Sequence, residues 1–154
     1  MMNFSALAVV NQEWNKLVFL SMERRIGQMS ILVKDYDEAL RFYITKLGFE
    51  LIEDTQLTPE KRWVVIAPKN SDGKGCSLLL AKASSSRQEN FIGNQTGGRV
   101  FLFLYTDDFK RDHDQLIKNE VKIVRPPSHE AYGQVLVFSD LYGNLWDLIE
   151  PKNK

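Results

Sequence analysis

The chain has 154 residues, 20 Lys+Arg balanced by 20 Asp+Glu, two histidines and one cysteine. That length suits one domain or two small halves sharing a core, and 44% hydrophobic residues exclude global disorder. Zero net charge argues against nucleic acid as a partner, because that affinity rests on clustered Lys and Arg releasing counterions. The single Cys76 excludes an internal disulfide framework and a multi-cysteine zinc module.

Residues 1–25 read as an N-terminal extension. Within it, Leu7, Val10, Trp14, Leu17 and Val18 fall at helical spacing. Such a helix packs on a partner subunit, covers the domain, or is a leader upstream of Met22. Asn11, Gln12, Glu13, Asn15 and Lys16 interrupt the apolar run, so it does not reach the roughly 18–20 residues of a membrane span. Nothing basic precedes Phe4, as a secretory signal requires, so the expected location is the cytoplasm, with no membrane partner.

From Ile26 the pattern becomes regular. Residues 26–33 alternate as a strand, with Met29, Ile31 and Val33 on one face and Gln28, Ser30 and Leu32 on the other. Asp35 or Asp37 caps a helix running to about Leu47, with the stripe Tyr36, Leu40, Tyr43 and Leu47, and Gly48 ends it. Strands follow at Phe49–Ile52, Arg62–Ala67 and Ser77–Ala81, the last two joined by the hairpin signal SDGKG. Ser84–Gly98 is polar and glycine-containing, a linker.

The order then recurs. Val100–Tyr105 is a strand, Asp107 or Asp108 caps a helix with the stripe Phe109, His113, Leu116 and Ile117, and strands follow at Val121–Val124, Gln134–Phe138 and Leu145–Ile149. A shift of 73 residues carries Met29, Ile31, Asp35, Tyr36, Leu40 and Tyr43 onto Leu102, Leu104, Asp108, Phe109, His113 and Leu116. It becomes 72 after the helix, carrying Phe49, Leu51 and Ile52 onto Val121, Ile123 and Val124. The expected fold is α+β: two tandem βαβββ modules, 26–83 and 99–151, joined by the linker 84–98 and forming a curved mixed sheet around a cleft. One helix per module covers one sheet face. The other faces, with Gln28, Ser30 and Leu32 in one module and Phe101, Phe103 and Tyr105 in the other, either line a cleft for a small organic molecule or fill the core.

The stretch VKDYDEALRFYITKLGFELIED resembles the signature V-x-D-x-(x)-x-A-x-x-F-Y-x-x-x-L-G-F of the vicinal oxygen chelate superfamily, which includes glyoxalase I, bleomycin resistance proteins and extradiol dioxygenases. The end of the chain, VLVFSDLYGNLWDLIEP, is similar to that family's F-x-D-P-x-G-N-x-x-E-L-x-x-P ending. Together they cover roughly Ile26 to Pro151 and identify the fold better than the reaction, because one scaffold carries many chemistries. The resemblance implies four metal slots, one on the first and last strand of each module. Here they fall on Gln28, Leu79, Phe101 and Asp147. Leucine and phenylalanine cannot ligate, and their neighbours Leu78, Leu80, Val100 and Leu102 do not rescue the site. Gln28 and Asp147 are compatible with ligation but alone would bind weakly, so no cofactor is expected and a divalent metal is disfavoured.

The expected cleft comprises Gln28, Ser30, Leu79, Phe101, Phe103, Tyr105, Asp147 and His129, the last on an overhanging Pro-rich loop, RPPSHEAYG. Asp147 is the candidate catalytic residue: placed among apolar side chains it acts as a general acid or base, or binds a cation, unless it is paired with a nearby Arg or Lys. His113 reads as a core histidine, Cys76 as a buried thiol, and Glu53–Asp54 as solvated charge. The leading expectation is a metal-free small-molecule-binding homodimer similar to bleomycin resistance proteins, favouring an aromatic or neutral ligand over a strongly cationic one. The alternatives are a metal-dependent lyase or isomerase similar to glyoxalase I, or a dioxygenase, and a scaffold protein.

Overall fold

A computed structural model describes residues 26–69 and 75–152. The expected N-terminal helix and most of the SDGKG turn lie outside them. In chain order the elements are β1 (Gln28–Val33), α1 (Tyr36–Arg41), β2 (Phe49–Thr58), β3 (Lys61–Pro68), β4 (Ser77–Lys82), α2 (Ser86–Glu89), β5 (Val100–Tyr105), α3 (Phe109–Lys118), β6 (Ile123–Glu130), β7 (Gly133–Ser139) and β8 (Leu145–Pro151). They form two four-stranded mixed sheets, β1-β4-β3-β2 and β5-β8-β7-β6, with β1 parallel to β4 and β5 parallel to β8. This is the βαβββ repeat expected from the 73-residue shift.

Equivalent residues start the two helices. Asp35 accepts from the backbone N–H groups of Asp37 and Glu38, both at 3.0 Å, and Asp108 accepts from Arg111 at 2.9 Å. After Arg41 the first helix widens into a π turn, Phe42–Lys46. The wider turn brings adjacent Phe42 and Tyr43 both into the core with Ala39, while Leu40 and Leu47 stay half-buried. All four residues of the expected stripe, Tyr36, Leu40, Tyr43 and Leu47, therefore lie in or against the core, and the π turn adds Phe42 to them. Gly48, at φ +72°, closes the helix.

Two strands run longer than their apolar residues suggest. The exposed stretch of β2 pairs with β3 out to Thr58–Lys61. RPPSHE is not a loop but most of edge strand β6. Pro126 and Pro127 fall within the irregularity between Arg125 and Ser128, where missing N–H donors cost no ladder bond.

The helix-covered faces of both sheets meet in one core. Ile31, Val33, Val64, Ile66, Leu78 and Leu80 come from the first, and Leu136, Phe138, Trp146 and Leu148 from the second. Trp146 stands at the junction, with ring centroids 6.1 Å from Tyr43, 5.9 Å from Phe49 and 5.7 Å from Phe138. The linker seals the outer edge of β1. Gln95 Oε1 accepts from the Leu32 N–H (2.6 Å), and its Nε2 donates to the Ser30 carbonyl (3.3 Å). Gly93, at φ +74°, lies so close to the Tyr142 carbonyl that a Cβ would stand 1.9 Å from it. Among the described residues no helix is long and apolar enough to cross a membrane.

Candidate functional site

Strand β8 alternates Trp146 and Leu148 into the core, so Asp147 and Ile149 fall on the opposite face. On the neighbouring parallel strand, Phe103 pairs with Asp147 and Tyr105 with Ile149. These four, with Tyr132 at the β6–β7 turn and Pro151 at the end of β8, line a recess of about 400 Å³. Its aromatic walls are bare: Phe103, Tyr105 and Tyr132 are 56%, 65% and 58% exposed. Such rings offer faces for stacking at low entropic cost.

Asp147 is the charged group in this lining. Its Oδ1 is buried and accepts no hydrogen bond from any described residue. Desolvation pushes the carboxyl above its ordinary value, and the positive charge of Arg125 opposes that shift. Arg125 lies in the same row of the sheet, which runs Phe103, Asp147, Val137, Arg125 across β5, β8, β7 and β6.

The expected cleft residues separate into two groups. Phe103, Tyr105 and Asp147 come together. Gln28, Ser30 and Leu79 lie on the other sheet, where Ser30 pairs with Leu79 and Gln28 with Ser77. They do not line this recess, because they stand on the first sheet and the recess is walled by β5, β8 and the β6–β7 turn of the second. Phe101 takes the core alternative. A register shift between Val100 and Leu102 breaks the alternation, and Phe101 packs against the core. His129 does not overhang the recess. It is an exposed residue of β6 paired with Gln134.

Tyr132, Ile149 and Pro151 were not anticipated. Ile149 was within reach, two residues from Asp147 and therefore on its face. Tyr132 was hidden because its hairpin turn looked like an extended loop. Elsewhere, His113 packs its ring at a tilt against Phe109, with centroids 6.0 Å apart, and is half-buried, Cys76 is half-buried, and Asp54 is paired with Arg62 rather than merely solvated.

The divalent metal implied by the family resemblance does not fit the residues present. Leu79 and Phe101 carry no donor atom. The Gln28 amide instead donates to Ser77 Oγ at 3.3 Å, on a different sheet from Asp147. Among the described residues no group of three or more His, Cys, Asp or Glu is placed to hold a metal ion.

Comparison with known proteins places the site in context. Residues 25–148 match the model of the Glyoxalase/Bleomycin resistance protein/Dioxygenase superfamily. An uncharacterized protein of Shewanella frigidimarina (strain NCIMB 400) is 55% identical over 134 residues, covering 86% of this chain and 98% of that one. Among solved structures, UcmS2 superposes with a TM-score of 0.71 at 26% identity, covering 83% of this chain and 98% of that one. TnmS3, an antibiotic binding protein from Streptomyces sp. CB03234, superposes with a TM-score of 0.68 at 29% identity, covering 84% and 98%.

Proposed function

The chain belongs to the Glyoxalase/Bleomycin resistance protein/Dioxygenase superfamily, and from that premise we propose that it is a metal-independent binding protein for a small aromatic molecule. The observation that carries this reading is the recess walled by Phe103, Tyr105 and Tyr132 over Ile149 and Pro151. Its volume lies within the roughly 300–1,000 Å³ of typical ligand sites. Each stacked ring contributes about 0.5–1.5 kcal/mol beyond area burial. The antibiotic-binding relative TnmS3 supports the same class of activity. The absence of donors at Leu79 and Phe101 favours binding without a metal.

The reading includes a homodimer. The recess has bare walls, and β2 carries exposed Leu51, Ile52 and Leu57. A second copy covering such faces buries apolar surface and closes the recess.

Calorimetry and thermal-shift measurements with a panel of fused-ring aromatics, in chelator and after Ni²⁺ or Zn²⁺ loading, test the proposal. We expect ligand-dependent stabilisation that is the same with and without metal, and about tenfold weaker binding in Phe103→Ala. Stoichiometric metal uptake with turnover of a hemithioacetal, lost in Asp147→Ala, would establish the lyase alternative instead.

A further inference from the structure

We propose that Asp147 selects the ligand: the recess accepts aromatic compounds that bring a hydrogen-bond donor to this carboxylate and rejects isosteres without one. The inference rests on the aromatic-binding reading above and specifies its ligand class.

The lining combines three rings, an isoleucine and a proline with one carboxylate. Ring stacking alone tolerates many planar molecules, so discrimination must come from the polar group. Asp147 Oδ1 is already buried without a partner among the described residues. A ligand lying over the recess strips water from the rest of the carboxylate as well. If it brings no donor, the charged group is left desolvated and unpaired, which costs the desolvation penalty with no hydrogen bond to set against it. Sites of this kind reject the donor-less analogue strongly for that reason.

Arg125 decides what sort of donor is needed. It stands two strands away in the same row and acts on Asp147 through space, without an ion pair that would occupy the oxygens. Its positive charge opposes part of the desolvation of the carboxylate, so the ligand need not be a cation. A neutral O–H or N–H on an aromatic frame, such as a phenol, meets both demands.

The test uses the full chain and three probes, 2-naphthol, naphthalene and 2-methoxynaphthalene, with dissociation constants from calorimetry or tyrosine fluorescence. Naphthalene and the methyl ether bracket 2-naphthol in size, and both lack the donor. The wild-type protein is expected to bind 2-naphthol on the order of tenfold or more tighter than either. Asp147→Leu should bind all three alike. Asp147→Asn, which keeps the shape and one acceptor, should reduce the preference to a few-fold and serves if the leucine variant does not fold. Phe103→Ala should weaken all three probes together. Equal wild-type affinity for the three probes, or a preference unchanged in Asp147→Asn, overturns this inference and leaves the aromatic-binding reading standing. Failure of all three probes to bind overturns that reading and this inference with it.

Discussion

Two aspartates seven residues apart hold opposite positions. Asp140 is buried, and six donors converge on it: the Tyr43 hydroxyl (2.8 Å), the backbone N–H groups of Tyr142, Gly143 and Asn144, the Asn144 amide, and the Trp146 indole at 3.3 Å. Burial, with the Asp140 charge beside it, holds the Tyr43 phenol well above its ordinary pKa, so it remains a donor. Asp140→Ala strands these donors and should cost about 3–5 kcal/mol by urea denaturation. Tyr43→Phe removes one hydrogen bond to a charged acceptor and should cost about 1.5–3 kcal/mol. Asp147 has the reverse balance. Its folded pKa is raised, so the folded state resists ionisation and stability falls as pH rises above the unfolded value near 3.8. Asp147→Asn should therefore be more stable than wild type at neutral pH, with the difference vanishing below that value. A variant equally stable at neutral pH would contradict the assignment of desolvation as the cause.

At the scale of elements, charge pairs fix the outer sheet edge. Arg62 on β3 bonds to Asp54 on β2 and to Asp37 on α1 at 2.7 Å, and its guanidinium lies 5.2 Å from the centre of the Tyr36 ring. The Arg62 hydrogen bond holds the Asp54 carboxyl below its ordinary 3.8, with desolvation opposing. That contribution is present above pH 3.8 and is lost as pH falls through the lower folded value. Arg62→Met should destabilise at pH 7, with the loss shrinking progressively below pH 3.8 in denaturation curves. The helix caps were legible to within a pair, Asp35 or Asp37 and Asp107 or Asp108, because an Asp before an apolar-periodic run favours capping, and the backbone geometry selects Asp35 and Asp108. Each should be worth about 1 kcal/mol, measured as Asp→Ala. The strand ends were not legible. The outer half of β2 and the proline-bearing part of β6 have no apolar alternation, and they are strands because β3 and β7 present ladders to pair with.

For the whole molecule, the proposed dimer predicts a mass of two chains by light scattering. Tyr105→Glu, placing a charge on an uncovered apolar face, should shift that mass toward one chain without lowering the urea midpoint of the monomer. An unchanged mass would direct attention to a different face. The repeated order of strand, helix and three strands was determined by the sequence alone. A shift of 73 residues carries the same apolar alternation and the same capping aspartate into both modules, and such local signals survive without knowledge of the partner. The family motifs likewise lie in contiguous stretches. Which residues meet at the recess was decided by tertiary structure. One register shift turned Phe101 toward the core and left Phe103 outside it, and the strand pairing put Gln28, Ser30 and Leu79 on a different sheet from Asp147. A strand's side chains change faces with a single-residue slip, and sequence spacing carries no record of that slip.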